Sequence, residues 1–132
     1  KENDELGVVA DQYGAPTSAR AIARTIAGIV DKIISDPESD RLWGTYHYSG
    51  FPFVSWAEFA KEIFEQATDR ELMSVPPTVR HIATSDYPTP AARPANSRLD
   101  CSKLKSTFGI EPDDWKTSLG LVLDELKEGM GN

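Results

Sequence analysis

Between Tyr87 and Asp100 the chain runs Tyr-Pro-Thr-Pro-Ala-Ala-Arg-Pro-Ala-Asn-Ser-Arg-Leu-Asp. Pro88, Pro90 and Pro94 each fix a φ angle and remove a backbone donor. Each also biases the residue before it away from the helical region. Helix is therefore excluded here, and the chain must cross this stretch as a stiff, extended connection. Arg93, Asn96, Ser97 and Arg98 arrive together on that track. A guanidinium offers a planar fork of donors that fits phosphate or carboxylate, and Asn and Ser add adaptable hydrogen bonds. Two readings follow from the chemistry: an anion-binding loop, or a surface connection whose arginines are only solvated. Asp100 is placed to cap a following helix.

A chain of 132 residues suits one domain with a modest core. Its 39% apolar content and three Trp argue for a globular fold. The formal net charge of −7 disfavours sequence-independent nucleic-acid binding, although a local arginine pair can still dominate a small pocket. With one cysteine, Cys101, no internal disulfide can form, and a reducing compartment is expected. No long apolar run or leader-like segment is seen, so neither membrane spanning nor secretion is indicated. The chain opens Lys1-Glu2-Asn3, which reads as a piece of a longer protein.

Leu6 to Ala10 reads as a buried strand. Asp11 to Thr17 reads as a loop, with Gly14 and Pro16 as its markers and Thr17 as the cap of the next helix. A polar loop leaving a buried strand and entering a helix often carries ligand contacts in α/β proteins; it is as readily an ordinary connection. From Ser18 to Ser35, Ile22, Ile26, Ile29, Val30, Ile33 and Ile34 recur at helical spacing and read as core. Gly44 to Gly50 alternates and reads as a strand, with Tyr46 and Tyr48 on one face and a structural His47 on the other. Ser55 and Glu58 form a capping-box pattern, with Val54 and Phe59 as a hydrophobic staple, for a helix ending near Thr68. Trp56 is assigned to core packing, the alternative being a pocket rim. Val79 to Ala83 reads as a weak strand. A short helix over Leu104 and Phe108 should stop at Gly109, with Cys101 inert in its first turn. A last amphipathic helix begins after Pro112 and runs through Leu119, Val122, Leu123 and Leu126 to about Gly129.

Several reaction chemistries have no motif here. The nine glycines give no dinucleotide fingerprint, no P-loop and no nucleophile elbow. None of the four tyrosines is followed four residues later by lysine, and two histidines give no metal-ligand cluster. Read from its residues alone, the chain offers a ligand-binding surface and no catalytic constellation.

Val8 to Thr17, with Asp11-Gln12, Gly14 and Pro16-Thr17, resembles the Asp-Gln-x-Gly-x-Pro-Thr segment of dTDP-4-dehydrorhamnose reductases, which are extended short-chain dehydrogenases. Gly44 to His47 with Val54 to Ala60, Thr84 to Leu99, and Asp114 to Lys116 resemble further blocks of that family, in order. The resemblance implies an α/β fold: the C-terminal substrate-binding lobe of an NAD(P)-binding, Rossmann-type enzyme. Residues 1–35 would belong with the Rossmann sheet of a missing N-terminal domain, and residues 36–132 would form a small α/β lobe. It implies that the full-length enzyme uses NADPH to reduce dTDP-4-dehydro-L-rhamnose to dTDP-L-rhamnose in the cytoplasm. The Tyr-x-x-x-Lys pair would lie upstream, so this piece alone would be inactive and would bind no cofactor. Asp11, Gln12, Gly14, Pro16, Thr17, Arg93, Asn96 and Arg98 are the implied contacts to the dTDP-sugar, with Arg93 at the diphosphate. Some relatives carry a metal at a dimer contact through carboxylates; Arg20 stands where one acid is expected, so no metal is carried over. A homodimer is the assembly expected if the strand at Leu6–Ala10 and the helix carrying Ile22, Ile26 and Ile33 are left uncovered. The rival reading is a non-catalytic, reductase-like regulatory subunit whose lobe binds a protein partner.

Overall fold

The computed structural model describes residues 5–130. The apolar run near the start forms β1 (Glu5–Val9), followed by a two-residue strand β2 (Tyr13–Gly14) and the helix α1 (Ala19–Ser35). Next come β3 (Val54–Ser55), α2 (Trp56–Asp69), β4 (Thr78–Ile82), α3 (Ser102–Phe108) and α4 (Trp115–Met130). β1 and β4 pair in parallel, from Glu5 opposite Thr78 to Val9 opposite Ile82. The Ala10 N–H donates to Ile82 O at 2.9 Å and carries the ladder one residue further. β2 pairs antiparallel with β3. The fold is thus α/β, with four α-helices and, among the described residues, four short strands paired into two two-stranded sheets. Among the described residues no helix is long and apolar enough to cross a membrane.

α1 starts one residue later than expected. Ser18 is its cap, its Oγ accepting the Ala21 N–H at 3.0 Å. Thr17 turns away: its hydroxyl donates to Ala15 O and accepts the Gly50 N–H at 3.0 Å. The isoleucines are not the core. α1 buries the small residues Ala21 and Thr25, while Ile22, Ile26, Val30 and Ile34 form an exposed stripe at four-residue spacing. Ile29 and Ile33 are half-buried. Small side chains let the helix approach its neighbours, which turns the bulky stripe outward. At the helix's first turn Arg20 pairs with Glu125, and further on Arg24 pairs with Asp113, tying α1 to α4 and the segment before it.

Gly44–Gly50 is not a strand. Tyr46 and Tyr48 are half-buried and Thr45 and His47 exposed, so the alternation is real. Among the described residues no strand lies alongside to complete a ladder, so the segment runs extended but unpaired. Side chains hold it instead: Tyr46 OH donates to Leu42 O at 2.8 Å and the Tyr46 ring meets Phe108 edge-on. Lys103 sits over the same ring and donates to Thr45 O at 3.0 Å.

α2 opens with the capping box read from the sequence. Ser55 Oγ accepts the Glu58 N–H at 3.2 Å, and the Glu58 carboxylate accepts the Ser55 N–H at 2.7 Å. The Ser55 N–H donating to it is the main reason the Glu58 carboxyl lies below its usual range. α3 is capped from one residue further back than its formal start. Cys101 occupies the cap position without a side-chain bond, and Asp100 accepts the Ser102 N–H at 2.9 Å, which lowers the Asp100 pKa. Gly109 ends the helix at φ 70°, where a Cβ would be strained. The core is Leu42, Ala57, Ala67, Cys101, Leu104, Trp115 and Leu123, with Ala21 beneath α1. Trp115 is 3% exposed, and Phe59 meets it edge-on at 5.4 Å between ring centres.

Candidate functional site

β1 delivers the chain into Asp11 and Gln12, and both reach across to Thr84. The Asp11 carboxylate accepts the Thr84 N–H at 3.0 Å and its hydroxyl at 2.6 Å, the hydroxyl bond being the main reason its pKa is lowered. The buried Gln12 donates to Thr84 Oγ1 at 3.1 Å. Asp11 and Gln12 thereby lock the end of β1 to the turn after β4.

Tyr13 is then gripped on both sides. On one side it pairs with Ser55. On the other its N–H donates to Ala95 O at 2.9 Å, and its carbonyl accepts the Ser97 N–H at 2.8 Å. The second half of the proline-rich segment is therefore not a loose surface connection: residues 95–97 are laid down as a strand-like rail beside Tyr13. Gly14 keeps this crossing close: a Cβ there would stand 3.0 Å from Ser97 Oγ, which would have to give way.

The rail divides two cavities. Ser97 lines a small one, about 130 Å³, with Gln12, Gly14, Pro16, Trp56 and Phe59. Asn96 and Arg98 line a larger one, about 560 Å³, with Phe51, Phe53, Leu99 and Pro112. Arg98 is fixed at that wall. Its Nε donates to Asn96 Oδ1 at 2.8 Å, and its guanidinium lies 5.7 Å from the Tyr13 ring centre and 5.9 Å from that of Phe53. A cation held by one carboxamide and two ring faces keeps its remaining N–H donors for an outside anion.

The structure thus brings together Gln12, Gly14, Pro16, Asn96 and Arg98. Thr17 supports them by anchoring Gly50, and Asp11 by anchoring Thr84. Arg93 stays apart: it is exposed, lines neither cavity and has no side-chain hydrogen bond or ion pair among the described residues. Trp56, assigned to the core from sequence, is 58% exposed and sits at the small cavity. Sequence reading missed Phe51 and Phe53. Their signal was two aromatics spaced by one residue directly after a glycine. Among the described residues no group of three or more His, Cys, Asp or Glu could hold a metal ion.

Gly50 makes this geometry testable. A Cβ there would fall 2.2 Å from Pro16 O and 3.3 Å from Trp115 Cβ. Gly50→Ala must push the Pro16 loop off the segment leading to Phe51, and a loss of about 1–3 kcal/mol is expected. Gly129→Ala is the control, since nothing lies within 4 Å of its Cβ. Thermal melts compare them; equal midpoints would contradict the packing.

The chain matches, over residues 1–128, the family model described as the RmlD substrate binding domain. It is 46% identical over 119 residues to a dTDP-4-dehydrorhamnose reductase of Aggregatibacter actinomycetemcomitans, covering 90% of this chain and 40% of that protein. It is 46% identical over 131 residues to the Sinorhizobium fredii reductase, covering 96% of this chain and 42% of the relative. Among solved structures, the dTDP-4-dehydrorhamnose reductase of Clostridium acetobutylicum superposes with a TM-score of 0.78 at 34% identity, over 95% of this chain and 40% of the other. That of Bacillus anthracis, solved in complex with NADP, gives 0.77 at 31% identity, over 94% and 39%. The chain spans about two fifths of the length of these relatives. With a family model matched almost end to end and relatives of this similarity, the chain belongs to the RmlD substrate-binding domain family of dTDP-4-dehydrorhamnose reductases.

Proposed function

We propose that this chain is the substrate-binding lobe of an NADPH-dependent reductase that converts dTDP-4-dehydro-L-rhamnose to dTDP-L-rhamnose. The observation that carries the reading is the rail at Tyr13 and Asn96, which places the Gln12–Pro16 loop and a fixed Arg98 on two sides of one wall. Arg98, held by Asn96, meets the diphosphate. Arg93 is a second cation approaching from the exposed part of the proline-rich segment. NADPH, the hydride source in this reading, has no glycine fingerprint to receive it here and is assigned to an N-terminal nucleotide-binding domain. β1 pairs with β4 alone among the described strands. Its open edge supports the assignment of residues 1–35 to the sheet of that domain.

Calorimetry on the chain tests the reading. Titration with dTDP or dTDP-L-rhamnose should give saturable heat, and NADPH should give none. NADPH with the keto sugar should show no loss of nicotinamide absorbance. Absence of dTDP binding, or steady NADPH oxidation above a protein-free control, would overturn it. A cytoplasmic setting belongs to the same reading on the ground of its substrates. So does a homodimer, supported by the exposed stripe on α1; a monomer at high concentration in sedimentation equilibrium would rule the dimer out.

A further inference from the structure

We propose that Thr84, held by Asp11, is a positioning residue: it fixes which end of the Gln12 carboxamide faces the small cavity and makes that end an acceptor for a ligand hydroxyl. The inference rests on the reading of the chain as a nucleotide-sugar lobe. It adds a residue that lines neither cavity and yet sets the polarity of one of them.

Parallel pairing puts the partners in place. Val9 lies opposite Ile82, and the same register carried two residues on sets Asp11 opposite Thr84. A carboxylate only accepts hydrogen bonds, and a threonine hydroxyl has one proton to give. Asp11 takes that proton at 2.6 Å and takes the Thr84 N–H as well. Its lowered pKa, due first to the Thr84 hydroxyl, keeps it in the ionised, acceptor-only form. Thr84 Oγ1 is left with lone pairs alone, so whatever Gln12 brings to it must donate. Gln12 Nε2 does so at 3.1 Å. The same bond turns Oε1, the other end of the planar carboxamide, away from Thr84.

That oxygen is what the small cavity meets. Gln12 is buried, yet its Oε1 has no hydrogen-bond partner among the described residues. Nor is Oε1 sealed in, since among those residues Tyr48 OH alone is a fully buried side-chain oxygen or nitrogen without a partner. Oε1 therefore opens to the space that Gln12 lines, the cavity of about 130 Å³. Pro16, Val54, Trp56 and Phe59 give that space apolar walls. Its two side-chain hydroxyls are engaged: Ser97 donates to Tyr13 O at 3.1 Å, and Ser55 Oγ accepts the Glu58 N–H at 3.2 Å. One oriented acceptor among apolar groups selects a donor, and a hydroxyl on the edge of a sugar ring supplies it. A reversed carboxamide would set Oε1 against the Thr84 lone pairs, acceptor against acceptor, so the Asp11–Thr84 pair excludes it. Holding the carboxamide in this state beforehand spares the cost of ordering it on binding.

The test titrates the chain and its variants with dTDP-L-rhamnose and separately with dTDP, which lacks the sugar. Thr84→Val keeps the shape of the side chain and removes its hydroxyl. It should weaken dTDP-L-rhamnose about three- to tenfold and leave dTDP unchanged, and Thr84→Ser should bind both as the parent does. Gln12→Leu should show the same selective loss, and adding Thr84→Val to it should weaken binding no further. Additive losses, equal weakening of both ligands, no recovery in Thr84→Ser, or undiminished dTDP-L-rhamnose binding in Thr84→Val each overturn the positioning role and leave the nucleotide-sugar reading standing. A parent that binds neither ligand overturns that reading and the inference with it. A second measurement needs no variant and so decides the matter even where Thr84→Val does not fold. In the free parent, the Gln12 side-chain NH2 should give nuclear Overhauser contacts to the Thr84 side chain; contacts to Trp56 or Phe59 with none to Thr84 would show the carboxamide reversed and overturn the proposal.

Discussion

On the proposed reading, Arg98→Ala in the full-length protein is expected to raise KM for the sugar nucleotide about ten- to a hundredfold while leaving KM for NADPH unchanged. A charge-assisted hydrogen bond is worth about 1.5–3 kcal/mol, which converts to that range. From sequence, Arg93 is the favoured diphosphate contact. We favour Arg98 instead, because Asn96, Tyr13 and Phe53 already hold it, whereas Arg93 has no side-chain partner among the described residues and must lose its freedom on binding. Ordering a long side chain at an interface costs roughly 0.5–1.5 kcal/mol, so Arg93→Ala should have the smaller effect. Arg98→Lys should recover only part of the loss, since an ammonium cannot reproduce the fork or the stacking on two rings. Asn96→Ala should fall between. A larger KM change for Arg93→Ala than for Arg98→Ala would reverse the ranking, and melting temperatures guard against a mere folding defect.

The largest loss of stability is expected for Trp115→Ala. Trp115 is 3% exposed, packs edge-to-face on Phe59, and donates from its indole N–H to Pro52 O at 2.7 Å. Truncating a buried Trp removes about 3–5 kcal/mol, out of a typical total of about 5–15 kcal/mol. The variant should melt far below the parent or be unfolded at 37 °C. Trp115→Phe keeps most of the ring packing but strands the Pro52 carbonyl, for an expected loss of about 1–3 kcal/mol. Urea titration followed by far-ultraviolet circular dichroism separates them. A midpoint for Trp115→Ala equal to that of Trp115→Phe would show that the indole hydrogen bond, not the packing, dominates.

Features written in local chemistry were legible from the chain alone. The capping box at Ser55 and Glu58 and the stop at Gly109 each depend on neighbours a few residues away. What depended on distant partners was not legible. The alternation at Gly44–Gly50 states that one face is buried, not whether a second strand lies beside it. The spacing of Ile22, Ile26 and Val30 states that one face of α1 is apolar, not what covers it. At the site, the arginines and Asn96 were visible as donors, but their ranking came from Tyr13 and Phe53, 85 and 45 residues away from Arg98 in sequence. Thr17 and Ser18 are both good caps, and the choice between them was made by Gly50, which takes the Thr17 hydroxyl.

The parallel pairing of β1 with β4 also bears on how the chain reaches its native state. Glu5 lies opposite Thr78, and nearly everything between them must be in place before the ladder can close. Closing a flexible segment of that length costs about 4 kcal/mol in chain entropy, which later contacts must offset. α1 and α2 can form as local units long before that; β1 cannot. During synthesis the strand leaves the ribosome well ahead of β4 and spends that interval with the edge that β4 later pairs left bare. Topologies of this kind fold slowly, and an unpaired apolar strand invites association in the meantime. The rate-limiting event of folding is therefore expected to be the meeting of Leu6–Val9 with Val79–Ile82, the same event that brings Gln12 to Thr84 and assembles the site.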